Sequence, residues 1–390
     1  MKKNSRQRPK SSLLLYLFVI AALLLSSWYG RTRSAPDIWP HLKEIYPEAA
    51  SFSMSDGMYA VDDDRGKSIG WASTGSGNGY GGPLQLLVGI DTSGTISGTS
   101  VIEHRETPVF WRMVRFPVFF TSIAGTPFED INYRYEEIVG VTGATRSSDA
   151  IVASVRQAVA EVAGEQFDTV IPLPLPPWEF GFFEIAIMVL FAGAVASLWL
   201  RQPMRKAWRW GSQAFALILL GFWENSPITL TKLTGFLAGY FPEISTNLAI
   251  YLLVAGFVLT VLFFGRSLYC SHLCPFGAIQ RFINLIGGKR IRLPVWSLKL
   301  MRIVRDIIVL CAVLAALAFA QPGLAHYEPF AALFSLKGSM LQWFLLLIVL
   351  LLSLVLDRPW CNFMCPMRTG ERVLQDIRSR ITRPGGEEHA

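Results

Sequence analysis

The chain has 390 residues, 52% of them hydrophobic and 17% charged, at a mean hydropathy of +0.37. A single water-soluble domain carries about 25% charge, so that class is excluded and a membrane protein is expected. The net charge is +7, yet residues 29–178 hold 11 basic and 18 acidic side chains; the only sizeable polar segment is acidic, which also argues against nucleic-acid binding.

Residues 1–12 form a basic tail with Lys2, Lys3, Arg6, Arg8 and Lys10 and no acid. The apolar run 13–28 follows, and it reads as a retained membrane anchor. A signal peptidase needs small residues, and Ser26-Ser27-Trp28-Tyr29 offers bulky aromatics instead.

Residues 29–178 read as a separate exported domain with no cysteine, which has to rely on its own core. Leu84 to Asp91 and Thr95 to Glu103 are strand-like runs joined by Thr92-Ser93-Gly94, a hairpin signal. The loop Gly79 to Pro83 precedes them. Beyond Val141 to Ser148, residues Ile151, Val152, Val155, Val159 and Val162 share one helical face, so the domain is α+β. Ser147 or Ser148 would cap that helix, and its free N–H groups with the Gly143 backbone would suit a phosphate; the plain alternative is an ordinary helix start. Asp62-Asp63-Asp64 reads as a solvated turn, lacking the spacing of a calcium loop.

Five further apolar blocks, near 181–200, 212–230, 247–265, 303–321 and 340–356, are long enough for a hydrocarbon core of about 30 Å. With the anchor, the expected architecture is an α+β domain joined to an α-helical transmembrane bundle of about six spans. Helices 2–4 occupy 179–265, a loop 266–302, helices 5–6 residues 303–356 and a tail 357–390. Glu224, Asn225 and Ser226 interrupt the third span. Arg201, Arg205, Lys206 and Arg209 follow the second span, Arg266, Arg281, Lys289, Arg290 and Arg292 the fourth, and Arg358, Arg368, Arg372, Arg378 and Arg380 the sixth. These groups belong on the cytoplasmic side with both termini, while 231–246 and 322–339 face outward with residues 29–178.

Four of the five cysteines form a repeated signature, Cys270-Ser271-His272-Leu273-Cys274-Pro275 and Cys361-Asn362-Phe363-Met364-Cys365-Pro366. Tyr269 and Trp360 precede the motifs, with Arg266 and Arg358 just before, which reads as a pseudo-symmetric pair of hairpins over 212–274 and 303–365. Cys-x3-Cys-Pro is the last part of a ferredoxin ligand run, where proline prevents a helix from continuing past the thiolate. Together the four thiolates suffice for one iron–sulfur cluster or one zinc, or they act as unmetallated redox thiols; a reducing compartment disfavours disulfides. His272 is not expected to be a ligand, and Cys311 reads as a small packing residue within the fifth span. No c-type haem signature, P-loop or dinucleotide fingerprint in its required setting is present.

Gly79 to Pro83, the hairpin, Glu103-His104-Arg105-Glu106-Thr107-Pro108 and Thr142 to Ser148 resemble the flavin-binding domain of Rnf and sodium-pumping quinone reductase subunits. With the paired cysteine motifs, nearly the whole chain resembles the NosR/NirI-type membrane flavoproteins of the inner membrane, and their shorter branch associated with reductive dehalogenase operons. The resemblance implies FMN joined through a phosphoester bond to Thr145 by a flavin transferase, with Thr142, Gly143, Ala144, Ser147 and Ser148 around it. It also places His104, Glu106 and Thr107 near the isoalloxazine, against the alternative that they are loop residues at a strand end. The chain departs from the family at Val139, where an acid usually stands six residues before the attachment threonine; Glu136 and Glu137 are out of register. Longer members continue into a cytoplasmic ferredoxin region, whereas 25 residues follow Cys365, so that relay is absent or supplied by a partner.

The implied function is electron transfer, as a redox component rather than a stand-alone enzyme. Quinol or a cytoplasmic donor would feed an extracytoplasmic reductase or its maturation machinery. The alternatives are a noncatalytic regulatory or maturation factor for a partner metalloenzyme, or a metal or thiol factor without flavin. A layer of about 30 Å separates the two cofactor sites and calls for an intermediate carrier. Trp223, Tyr240, Phe241 and Tyr327, expected near the outer face, read either as a quinone pocket or as an interfacial aromatic belt.

Overall fold

The computed structural model describes residues 11–33, 37–55, 57–79, 82–106, 111, 123–131, 145–173, 178, 180–287 and 294–382, without the side chains of residues 11–15, 33 and 145–147. After a long first helix, α1 (Ser11–Arg33), and a short α2 (Trp39–Ile45), five strands form an antiparallel meander in sequence order. They are β1 (Ser51–Ser55), β2 (Met58–Asp62), β3 (Ser68–Asn78), β4 (Pro83–Asp91) and β5 (Ile96–His104). The expected hairpin joins β4 to β5: Asp91 Oδ1 accepts the N–H groups of Ser93 and Thr95, and Gly94 takes a φ of +85° that a side chain would strain. Asp63 closes its own turn by accepting the Arg65 and Lys67 N–H groups, so the acidic run is a turn as expected.

Helix α3 (Thr145–Phe167) lies on the sheet through the predicted apolar face, with Ile151, Val155, Val159 and Val162 buried against Leu84, Leu86, Val88 and Ile90. Two glycines of β3 allow the approach. A Cβ at Gly75 would collide with the Ser154 carbonyl oxygen, and one at Gly77 with that of Ala150. Helix α3 begins at Thr145, which puts Ser147 and Ser148 in its first turn. Neither therefore occupies the capping position expected of it.

The remainder is helical: α4 (Phe182–Ala196), α5 (Gln202–Ala216), α6 (Leu230–Ala238), α7 (Ile244–Phe264), α8 (Pro275–Gly287), α9 (Val295–Ala318), α10 (Phe330–Phe334), α11 (Met340–Ser353), α12 (Pro359–Phe363) and α13 (Pro366–Ile381). Among the described residues one helix, Ile244–Phe264, is long and apolar enough to cross a membrane, beside the shorter apolar helices Phe182–Ala196 and Met340–Ser353. The block expected over 212–230 stops early: α5 continues as a π-helical stretch, Leu217–Trp223, and ends at Glu224, with Asn225 in the left-handed region. Polar residues that cannot be satisfied within an apolar helix break it there.

The bundle has two distinct ends. Tyr16 of α1 lies beneath the Arg380 guanidinium at one end, whereas Gly30 packs on the Leu317 backbone and Arg31 donates to the Ala238 carbonyl, 3.0 Å away, at the other. The second end also receives the sheet domain. Arg105, just after β5, donates to the Ala320 carbonyl at 2.6 Å and lies 4.3 Å over the Tyr240 ring.

Within the segment 322–339 two aromatic residues turn inward: Tyr327 donates to the Met364 carbonyl at 3.0 Å and Phe330 is buried 4.9 Å from the Phe276 ring. Its aromatic residues are better buried against the cysteine-bearing turns than left in solvent. Cys311, expected to pack inside, is exposed on α9.

Candidate functional site

The first candidate site lies where β3 leaves the sheet. Four helix residues advance about 6 Å and two strand residues about 6.6 Å, so the pairing of Ser154 with Gly75 and Ala150 with Gly77 brings the start of α3 level with Gly79. There Gly79 donates to the Gly82 carbonyl at 3.0 Å, and the buried Glu106 carboxylate occupies the space a Gly79 side chain would need. Arg105 N–H donates to the Pro83 carbonyl at 3.0 Å, holding the strand exit beside this loop. His104, paired with Leu84 across the sheet, stacks on Trp111 with ring centroids 3.8 Å apart.

Helix start, glycine loop, Glu106 and His104 thus share one edge of the domain. Ser148 is buried in the first turn of α3. The expected positions Thr107, Thr142, Gly143 and Ala144 lie outside the described residues, as do the side chains of Thr145 and Ser147. The stacked His104 and Trp111 rings give that edge an aromatic plane for a flat ring. Trp111 escaped the sequence reading because no local motif marks it; it reaches His104 only through the fold.

The second candidate site is built by the cysteine motifs. Cys270 lies on a π-helical turn, Tyr269–Leu273, and Cys361 on α12. Cys270, Cys274, Cys361 and Cys365 all line one small cavity with Tyr269, Phe330 and Arg368. Hydrogen bonds hold the turns: Cys270 N–H to Ser267 Oγ at 3.0 Å, Cys274 N–H to the Tyr269 carbonyl at 2.9 Å and Cys365 N–H to the Trp360 carbonyl at 2.9 Å. Gly277 N–H donates to Cys274 Sγ at 3.4 Å, and Gln280 Nε2 to Cys361 Sγ at 3.5 Å. Gln280 also accepts the Trp360 N–H at 2.9 Å, so one buried amide ties the two motifs together.

Each proline after a motif opens the next helix, Pro275 that of α8 and Pro366 that of α13. Proline at the first helical position loses no hydrogen bond. Its role is therefore to start a helix whose positive end faces the thiols, more than to stop the preceding one.

Burial pushes the Cys270 thiol up to about 12 and raises Cys274 and Cys365 well above the usual range, with the neighbouring thiols adding to it. Cys361 is raised by burial too, against the pull of Arg358 and Arg368. A thiolate set so placed needs bound cationic metal to offset its desolvation. Among the described residues no group of three or more His, Cys, Asp or Glu is arranged to hold a single metal ion. Four cysteines lining one cavity can supply a thiolate to each iron of a 4Fe–4S cluster, and equally the four thiolates of a zinc site. His272 is buried, bonded to Ser271 Oγ at 2.9 Å, and does not line that cavity.

A family described as FMN-binding domain matches residues 79–160, and one described as 4Fe-4S binding domain matches twice, over 246–294 and 339–383. The double match repeats one succession of apolar helix, cysteine turn and amphipathic helix. NirI of Paracoccus denitrificans is 29% identical over 44% of this chain and 27% of its own length, and the regulatory protein NosR of Pseudomonas aeruginosa 25% over 54% and 32%. A component of the ion-translocating oxidoreductase complex of Methanosarcina acetivorans is 29% identical over 39% of this chain and 93% of its own length. The matched region spans about a third of NosR and less of NirI. The chain thus carries an FMN-binding domain followed by a duplicated 4Fe-4S binding domain, and over part of its length it is similar to NosR and NirI.

Proposed function

We propose that the chain carries electrons across a bacterial cytoplasmic membrane, between quinol or a cytoplasmic donor and an exported reductase or its maturation machinery. In this reading Thr145 holds FMN through its phosphate, and Cys270, Cys274, Cys361 and Cys365 hold a 4Fe–4S cluster at the cytoplasmic side. FMN when bound supplies one- and two-electron chemistry and the cluster single-electron chemistry. Six spans, with α1 as the anchor, give the topology.

The observation that carries this reading is the stretch from Ala320 to Phe330. Its first carbonyl accepts from Arg105, beside His104 and Glu106, while Tyr327 lies 5.9 Å from Trp360 and Phe330 lines the cysteine cavity. Eleven consecutive residues therefore run from the docking contact of the flavin domain to the cysteine cavity. The residues' part is to orient the two sites and exclude water between them.

The test is in-gel flavin fluorescence of denatured protein made with its flavin transferase, followed by quinol-analogue reduction in liposomes. Wild type should fluoresce, Thr145→Ala should be dark, and the flavin should bleach with quinol only when the cysteines are intact. Dark wild type would defeat covalent attachment at Thr145. A second reading, a regulatory or maturation factor, is favoured by the name of the NosR relative; it predicts that Thr145→Ala lowers partner maturation while no electron flow is measurable in wild type.

A further inference from the structure

A second cavity, of about 390 Å³, opens beside the cysteine site between the end of α4, the start of α5 and the first cysteine turn. Arg205, Lys206, Arg209, Arg266 and Arg281 line it, and Arg358 and Arg368, shared with the cysteine cavity, add to them. The one acid in the lining, Glu371, is already engaged: its carboxylate accepts the Ser267 N–H at 2.9 Å and pairs with Arg368 at 3.0 Å. Among the described residues none of the first five cations forms an ion pair. Arg209 Nε is buried there with no hydrogen-bond partner. Arg281 spends one N–H on a neutral acceptor, Gln213 Oε1, at 2.7 Å.

Placement of cations on the cytoplasmic side accounts for their presence at this end. It does not account for five of them converging on one concave space. Like charges so gathered repel, and buried guanidinium N–H groups without acceptors cost free energy. Arg281 registers this field, pulled down to about 10 by burial and by Arg358 and Arg209. The cavity's size is that of a small-ligand site, and guanidinium forks match phosphate oxygens in pairs.

We propose that this cavity is a binding site for a phosphate-bearing anion, with Arg205, Lys206, Arg209, Arg266 and Arg281 as its donors. Such a group comes either from an anionic phospholipid headgroup, since Trp199, next in sequence to the lining residue Leu198, is exposed as interfacial tryptophans are, or from a soluble phosphate compound. The inference concerns binding alone and stands whether or not the chain carries electrons.

The experiment uses the full chain in nanodiscs. Native mass spectrometry of discs containing phosphatidylglycerol and phosphatidylcholine measures retained lipid, and calorimetry in phosphatidylcholine discs measures binding of inorganic pyrophosphate. Retained phosphatidylglycerol, reduced at least tenfold by Arg205→Gln/Lys206→Gln/Arg209→Gln, assigns the lipid source. Pyrophosphate binding with Kd below about 1 mM, weakened at least tenfold by the same variant, assigns the soluble source. The double variant Arg205→Gln/Lys206→Gln, at the less enclosed positions, repeats both measurements should the triple variant fail to fold. Binding of neither probe, or binding unchanged in the folded variant, overturns the proposal.

Discussion

Arg105 shows how much one side chain decides here. Its buried guanidinium meets Glu103 at 2.8 Å, the Ala320 carbonyl and the Tyr240 ring, joining the sheet domain to the bundle beside the flavin-site candidates. Arg105→Ala should weaken that docking by about 2–4 kcal/mol, from a lost charged hydrogen bond and a cation–π contact. The check is a limited-proteolysis rate across 106–145, expected to rise while flavin fluorescence is retained. Tyr46 makes a second, independent prediction. Its hydroxyl donates to the Trp71 and Ile90 carbonyls at 2.9 and 3.0 Å, and burial pushes it up from 10.0 to about 12. A group raised on folding contributes stability that is whole below its unfolded value and lost as pH climbs through the folded one. Wild type should therefore lose stability between pH 10 and 12, and Tyr46→Phe should be about 1 kcal/mol less stable at neutral pH with a flatter alkaline limb in thermal unfolding.

At the scale of elements, the contact of β3 with α3 sets the flavin-site edge, and its glycines are spatial requirements. Gly77→Ala forces a Cβ into the Ala150 carbonyl, so it should cost about 2–3 kcal/mol, as overpacking does, and lower flavin loading. Gly164, in the same helix with nothing near its Cβ position, makes the contrast: Gly164→Ala should stabilise by about 0.5–1 kcal/mol with loading unchanged. Equal loss in both variants would mean that the close approach of Gly77 to the Ala150 carbonyl does not set the loading. The hairpin and the apolar face of α3 were legible in the sequence because each rests on local spacing. The start of α3 was not: Ser147 and Ser148 look like caps, yet the helix already includes them, since a cap is chosen by where the helix docks as well as by its residue type.

For the whole molecule, the decisive feature is the convergence of both halves of the bundle on one thiol cavity. Iron analysis of purified protein should find iron in wild type and a severalfold loss in Cys365→Ser, whose thiol is buried among the other three. Stoichiometric zinc in place of iron would overturn the cluster reading. With the metal removed, the raised thiols predict slow alkylation at pH 8, measured by mass spectrometry, because few thiolates form below the value of about 12 at Cys270.

The duplication of Cys-x3-Cys-Pro, the split between an acidic β-rich part and basic apolar flanks, and the flavin motif around Thr145 were all determined by the sequence itself. Composition, spacing and local periodicity depend on nearby residues and survive without a fold. Tertiary structure alone decided that Gln280 links the two motifs, that Trp111 reaches His104, and that the segment through Tyr327 and Phe330 turns inward toward the cysteines. The Gln280 and Tyr327 contacts join residues tens of positions apart, where a buried amide or an aromatic side chain finds its partner only after the helices have packed, and the His104–Trp111 stack depends on how the chain turns after β5.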